Sequence, residues 1–305
     1  MLRLVVTRLL GGVFVLFVVA TVSFFLLRAA PGGPFASERV VPEAVQRNIE
    51  ERYHLNDPLW QQYVTHLSRM ATLDFGHSMK RQRTVNEMIA DHAPHSLRLG
   101  LMAIVFAALF GTVLGVTAAA KRNSATDYTL MVVALLGISI PSFVLGPMFI
   151  RWFSLDLGWF PPARAEGFEG YVLPALVLGM IYAGTVARLA RAGVLDTMSQ
   201  DYVRTARAKG LAERVVVWKH ALRLGVIPVI TYLGPATAAL ISGSFVIEKI
   251  FQIPGLGYYF VDSVVSRDYP VLTGLLVFYV AFLVVLNLVV DILYGVIDPR
   301  TRDAR

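Results

Sequence analysis

Cysteine is absent from all 305 residues, which excludes disulfides, iron–sulfur clusters and thiolate metal sites. The dipeptide Gly-Lys is also absent, and with it the glycine loop that cradles a nucleotide phosphate. No His-Glu-x-x-His helix occurs. The six histidines, His54, His66, His77, His92, His95 and His220, fall in loops or at the edges of apolar runs. A zinc or serine–histidine centre buried among those runs is therefore excluded. Acidic groups are scarcer still. Asp291 is the one carboxylate well inside an apolar run, near its end, so a two-aspartate intramembrane protease fails as well. Ion-coupled carriers keep ionisable groups near the bilayer midplane. Here those positions carry hydroxyls instead: Ser139, Ser142, Thr231, Thr237, Ser242 and Ser244. This is the pattern of a solute pathway that draws its energy from another subunit.

Charged residues make up 16% of the chain and hydrophobic ones 56%, with a mean hydropathy of +0.60. A soluble domain carries about 25% charge. The apolar excess clusters into runs at 9–27, 97–119, 128–153, 171–189, 225–247 and 271–293. Each is long enough to cross a bilayer as a helix, which satisfies its own backbone hydrogen bonds. The first run lies between Arg8 and Arg28 and invites a signal-peptide reading. Its apolar core exceeds the usual ~7–15 residues, so it is read as a retained first helix. The expected fold is an all-α integral membrane protein of six transmembrane helices.

The net charge of +7 is unevenly spread. Between runs four and five, counting their flanks, lie Arg188, Arg191, Arg204, Arg207, Lys209, Arg214, Lys219 and Arg223, opposed by Asp196, Asp201 and Glu213. The 156–170 loop has Asp156, Glu166 and Glu169 against Arg164, and the 248–270 loop is slightly acidic. Basic loops stay cytoplasmic. Both termini are then cytoplasmic, along with Arg3, Arg8, Lys121, Arg122, Arg300, Arg302 and Arg305. The polar stretch 28–94 lies outside the membrane, giving an N-terminal helix 1–27, an external helical insertion 28–94 and a five-helix core 95–305.

In the insertion, Asp57 and Pro58 form a helix start with Asp as cap. Leu59, Tyr63, Leu67 and Met70 share one helical face, and Thr84-Val85-Asn86-Glu87 has the form of a capping box. Two readings stand together: a cap on the bundle, and a docking surface for an external partner. Pro141 and Pro147 interrupt the third run, Pro228 and Pro235 the fifth. Close helix packing and a bend around a cavity account for them equally.

The basic segment 201–210 reads as a short helix. Ser199 is placed to cap it, Asp201 favours its N-terminus, and Gly210 can end it in the left-handed conformation. The stretch 211–222 returns the chain to the membrane. As a rigid helix–turn–helix it is a lever; as a solvated loop it only sets topology.

At this loop the chain resembles the inner-membrane permease subunits of bacterial ABC importers. Their signature is Glu-Ala-Ala, three residues, Gly, then Ile-x-Leu-Pro. Gly210 matches the glycine, Ala206 the second alanine and Leu222 the leucine. Arg204, Thr205, His220 and Arg223 depart from it in the manner of the peptide/nickel branch, which reads Arg-Thr-Ala-Arg-Ala-Lys-Gly-Leu and later His-Ala-Leu. Further matches to B-type oligopeptide permeases are Ala30-Pro31-Gly32-Gly33-Pro34-Phe35, Tyr53-His54-Leu55-Asn56-Asp57-Pro58, Asp74-Phe75-Gly76, Ile140-Pro141-Ser142-Phe143, Pro254-Gly255-Leu256-Gly257 and Ile297-Asp298-Pro299.

The resemblance implies a type I importer permease fold and a place in the bacterial inner membrane. It implies a second, C-type permease subunit, two cytoplasmic ATPases that hold the ATP and Mg, and an external peptide-binding protein. The chain itself would bind no cofactor and no metal and would not be an enzyme. The coupling loop would be 195–222, with Tyr202, Arg204, Ala206, Arg207, Lys209, Gly210, His220 and Leu222 toward the ATPase. Candidate pathway residues are Ser139, Pro141, Ser142, Thr231, Ser242 and Ser244. The expected function is the membrane subunit of an ATP-driven oligopeptide importer. The alternatives are a dipeptide or nickel importer subunit and a self-contained carrier or channel.

Charge asymmetry makes the orientation testable, because a cysteine-free chain accepts single cysteines without background. With an impermeant thiol reagent on intact spheroplasts, Ala71→Cys is expected to label and Ala212→Cys to stay protected. The opposite pattern would invert the topology.

Overall fold

The computed structural model describes residues 2–29, 56–164, 167–241 and 245–297. Ser242 and Ser244, and the motif residues at 30–35, 53–55 and 298–299, lie outside them. The helices are α1 (Leu2–Ala29), α2 (Leu59–Ala71), α3 (Val85–Ala120), α4 (Ala125–Ser139), α5 (Ser142–Asp156), α6 (Glu169–Met198), α7 (Asp201–Ala208), α8 (Glu213–Gly225), α9 (Ile227–Ile241), α10 (Phe245–Ile250), α11 (Leu256–Ser266) and α12 (Tyr269–Ile297). Four of them are long and apolar enough to cross a membrane alone. Counting each of the bent pairs α4–α5 and α8–α9 as one span gives up to six. Large apolar side chains such as Leu10, Phe14, Leu26 and Leu109 stand on the outside, where hydrocarbon is the solvent that suits them.

The chain divides into two compact units. The first combines Met1–His95 with Pro254–Arg305. In it α1 runs antiparallel to α12, with Arg8 Nε 2.8 Å from Asp291 Oδ2. The start of the first membrane helix and the end of the last thus lie on the same side. Toward its other end α1 receives α2: Tyr63 stacks 5.3 Å from Phe24 and 5.4 Å from Phe25, and its hydroxyl lies 2.8 Å from Thr21 Oγ1.

Helix α2 begins one residue later than the sequence indicated. Pro58 is the residue before the first turn and holds the capping position. The Asp57 carbonyl accepts from Gln62 Nε2 at 2.8 Å. The inward face is Tyr63, His66, Leu67 and Met70, while Leu59 is exposed. His66 is absent from the apolar pattern, because an imidazole buries its ring while reading as polar. Burial, with the Arg28 charge adding to it, holds the His66 pKa below the ordinary histidine value.

The expected capping box is present at the head of α3. Thr84 N donates to Glu87 Oε2 at 3.0 Å and Glu87 N to Thr84 Oγ1 at 3.2 Å. From there α3 runs unbroken through Pro94 for 36 residues. The boundary drawn at 94 therefore falls inside a helix. The Asp74-Phe75-Gly76 motif folds onto this helix start. Gly76, at φ +83, donates to Asp74 Oδ1 at 2.9 Å, and Phe75 N donates to Asn86 Oδ1 at 3.0 Å. Buried Asp268, just ahead of α12, gathers the next loop by accepting from the Ser78 hydroxyl and from Met79 N at 3.1 Å.

The second unit is Ser96–Ile253, and α6 is its axis. Leu173, Val177 and Leu178 of α6 share a core with Leu99 and Ala103 of α3, Leu240 of α9 and Ile247 of α10. The helices come close because glycine removes the side chain at the crossings. A Cβ on Gly179 would stand 2.6 Å from the Ala103 carbonyl oxygen, and one on Gly137 2.9 Å from that of Met180. At the lower crossing a Cβ on Gly193 would overlap the Gly225 carbonyl oxygen.

The third span bends by 105° between α4 and α5. Proline disfavours a helical conformation in the residue before it, and Ile140, ahead of Pro141, is extended at φ −88, ψ 121. Pro147 lies inside α5 without breaking it. The fifth span bends by 54° after Gly225, and Pro235 is carried inside α9. Glu248, read as part of an acidic loop, is instead fully buried in α10 and accepts from Ser96 Oγ at 2.8 Å.

The Gly193 crossing predicts a measurable asymmetry. Gly193→Val should lower the thermal midpoint of the solubilised protein by the equivalent of about 1–3 kcal/mol, the usual cost of overpacking. Gly11→Ala, whose Cβ would meet nothing within 4 Å, should leave it unchanged or slightly higher.

Candidate functional site

The basic loop forms a compact hairpin. Helix α7 is amphipathic over eight residues. Val203 and Ala206 turn inward onto Val216 of α8, and all three are buried. Tyr202, Arg204, Thr205, Arg207, Ala208 and Lys209 face outward. The chain reverses at Gly210, whose φ of +75 is the left-handed conformation expected of it. Gly210 N donates to the Arg207 carbonyl at 2.9 Å. Across the turn, Arg207 grips Glu213 with both Nε (3.1 Å) and Nη2 (2.6 Å). That bond raises the arginine pKa further above its usual value. The Tyr202 hydroxyl reaches the His220 carbonyl at 3.4 Å, and partial burial raises its pKa.

The base of the hairpin is equally fixed. Val217 and Ala221 of α8 join Val116 and Ala119 of α3 and Val194 of α6 in one buried cluster, with Leu222 packed against it. Residues Val216–Ala221 are wound as a π-helix, a form that recurs at functional sites. The Gly193–Gly225 crossing lies directly below. The base of the hairpin is thus packed onto the ends of α3 and α6.

Two sequence expectations change here. Ala206 does not face outward, because it shares the single apolar stripe of α7 with Val203, three residues earlier. Ser199 does not cap α7. It ends α6, its hydroxyl donates to the Asp196 carbonyl at 2.7 Å, and Gln200 holds the capping position without a side-chain bond.

One connection was not legible from the sequence. Buried Asp127, in the first turn of α4, takes both Nε and Nη2 of Arg191 at 2.7 Å each. Its Oδ2 also accepts from Asn123 N at 3.0 Å. This bidentate pair ties the α3–α4 turn to α6 seven residues before that helix ends. Arg191 reads as one more topogenic cation, and Ser124-Ala125-Thr126-Asp127 at the head of an apolar run was the available signal: Ser124 Oγ accepts from Asp127 N at 3.3 Å.

The pathway candidates are dispersed along the spans. Ser139 and Thr231 are exposed on this chain, each with its hydroxyl turned back to a carbonyl of its own helix, Leu135 at 2.9 Å and Ile227 at 3.0 Å. Pro141 and Ser142 form the α4–α5 corner. Among the described residues no group of three or more histidine or acidic side chains is placed to hold a metal ion.

In the second unit, bent and straight apolar helices pack on α6, with a basic hairpin at its end. The chain belongs to the family of binding-protein-dependent transport system inner membrane components. The family description matches residues 111–303, and its N-terminal counterpart matches 1–100. The chain is 45% identical to the dipeptide transport system permease protein DppB of Bacillus subtilis, over 99% of this chain and 98% of that protein. It is 42% identical to the oligopeptide transport system permease protein OppB of Haemophilus influenzae, over 99% and 100%. Among solved structures, a chain of the inward-facing MetNI methionine ABC transporter superposes with a TM-score of 0.59 at 17% identity, covering 69% of this chain and 96% of that one. The fold is that of a type I importer permease, and the protein is a multi-pass component of the inner membrane.

Inward Ala206 and outward Ala208 separate the fold of the hairpin from its surface. Ala206→Glu would bury a charge among Val203 and Val216, at a cost of at least about 1–3 kcal/mol. It should make 195–222 sensitive to limited proteolysis. Ala208→Glu, on the exposed face, should leave the cleavage pattern unchanged.

Proposed function

We propose that this chain is the membrane-spanning subunit of an ATP-driven oligopeptide importer. The observation that carries this reading is the hairpin: a polar, outward-facing helix packed on α8 and closed by the Arg207–Glu213 pair, with α8 held against the central membrane helix by packing and the Gly193–Gly225 crossing. Such an element serves no purpose as a solvated loop, but it transmits displacement if another subunit grips α7. In this reading two cytoplasmic ATPases bind the outer face through Tyr202, Arg204, Arg207 and Lys209, and they hold the ATP and Mg. A second permease subunit completes the pathway, and an external binding protein delivers the peptide. Both chain ends and the hairpin are cytoplasmic, in keeping with the basic-residue asymmetry and with the Arg8–Asp291 pair at one end of α1 and α12.

The transported solute is assigned to peptides on the names of the two relatives, one a dipeptide and one an oligopeptide permease. The oligopeptide reading agrees with both the sequence motifs and the second relative. The pathway is assigned to the α4–α5 corner and the exposed hydroxyls of Ser139 and Thr231. The chain has no nucleotide loop and is assigned no catalysis of its own.

Variants of the outward face test the reading. Arg204→Glu and Ala208→Trp are expected to insert, fold and pair with the second permease subunit normally, since exposed substitutions usually change stability by less than about 0.5 kcal/mol. Co-purified ATPase and ATP-dependent peptide uptake should both fall at least about tenfold, equivalent to some 1.4 kcal/mol of lost association. Normal uptake in both variants would remove the hairpin from the coupling path. Separately, the purified chain alone should hydrolyse no ATP. Proton-driven peptide uptake by liposomes containing only this chain would establish the carrier reading instead.

A further inference from the structure

Helix α2 packs on α1 within the depth of the membrane span. Its partners there are Thr21, Phe24, Phe25 and Arg28, which belong to the last two turns of α1. The contacts also fix how α2 is rolled about its own axis. Gln62 Oε1 accepts from Arg28 Nη2 at 2.6 Å, at the outer end of α1. Tyr63, the next residue, places its hydroxyl 2.8 Å from Thr21 Oγ1. Thr21 lies seven residues back along α1 from Arg28, about 10 Å deeper in the span. The Gln62 side of α2 therefore faces away from the bilayer centre, and the Tyr63 side faces toward it.

The chemistry of the two flanks follows that direction. By helical spacing, Trp60, Val64 and Leu67 form a stripe at i, i+4 and i+7 beside Tyr63. Trp60 is 68% exposed and Val64 56%, and Leu67 is half-buried. On the opposite flank of the packed face stand Gln62 and Arg69, the latter with its Nε 3.0 Å from Asp74 Oδ2. A further stripe at the same spacing, Gln61, Thr65 and Ser68, is polar and exposed. The apolar stripe also joins a surface that hydrocarbon already covers. Tyr63 lies against Phe25, and Phe25, Val22 and Leu26 are exposed on α1. The lipid-facing side of α1 thus continues through Tyr63 onto Trp60 and Val64.

We infer that α2 is an interfacial helix, with Trp60 and Val64 seated in the headgroup–acyl boundary of the bilayer and Gln61, Thr65 and Ser68 in water. An amphipathic helix in that position buries its apolar face roughly 5–10 Å into the boundary, and tryptophan is enriched there. The inference goes beyond the transport reading and needs only that α1 crosses a membrane. It assigns the exposed apolar side of α2 to lipid, so a soluble partner that docks on this helix meets its polar stripe alone. Because Arg69 holds Asp74, the depth of α2 also sets the height of the Asp74-Phe75-Gly76 turn that leads into α3.

The test uses the complex purified from membranes and reconstituted in phospholipid bilayers. Trp60→Cys, Val64→Cys and Gln61→Cys, each in the cysteine-free chain, carry a nitroxide whose collisions with dissolved oxygen and with a water-soluble nickel chelate are compared. All three positions are exposed, so the variants should assemble and keep the thermal midpoint of the parent. At positions 60 and 64 oxygen collisions should dominate, with an oxygen-to-nickel ratio several-fold above that at position 61, where nickel should dominate. Nickel access at position 60 or 64 equal to that at 61 would show a helix standing in water and overturn the inference. Weak collisions with both reagents at 60 and 64 would show a protein partner covering the stripe and equally overturn it. Oxygen dominance at position 61 as well would show a helix immersed on every side, which also overturns the interfacial placement.

Discussion

Close backbone approach around α6 is the constraint from which the rest of the second unit follows. Hydrocarbon gives apolar helices no reason to associate by burial alone, so they must gain from packing at short range. Gly179 against α3, Gly137 of α4 against Met180, and Gly193 against Gly225 each bring a carbonyl where a side chain would stand. With the axes so close, α3, α4, α8 and α6 leave little room to slide. The Asp127–Arg191 pair closes the same bundle electrostatically, at the point where α4 begins. A buried pair of this kind adds less to stability than to registry.

Local signals in the sequence were legible because their chemistry is local. Thr84 and Glu87 form the capping box their spacing announces. Gly210 is left-handed because the chain must reverse between two helices that share Val203, Ala206 and Val216. Pro141 interrupts the third span as expected, through Ile140, although no sequence rule supplies the 105° angle. Relations over distance were not legible. Asp127 and Arg191 are 64 residues apart, and each has a sufficient local explanation, one as a helix-start acid and the other as a topogenic base. Glu248 looked like loop because a carboxylate lowers apparent hydropathy, yet the Ser96 hydroxyl makes its burial tolerable.

The orientation of α7 illustrates the weakness of short amphipathic patterns. Eight residues give barely two turns, and alanine carries almost no hydrophobic signal. Ala206 was therefore as consistent with an outer contact as with an inner one. Val203, at the i−3 position, was the residue that could have decided it. The same uncertainty moved the cap from Ser199 to Gln200, since a serine after a long helix serves its C-terminus as readily as the next N-terminus.

The pairing of Arg8 with Asp291 sets an order of assembly. The second unit is one uninterrupted stretch of chain, so its contacts can form while synthesis continues. The first unit is split between the two ends of the sequence, and α1 lacks its long neighbour until α12 has been made. Throughout that interval the Arg8 guanidinium must find its counter-charge in water or lipid headgroups at the membrane surface. The last helix to emerge is thus the one that secures the first, and a ribosome that stops short of residue 291 releases a chain whose first unit cannot close.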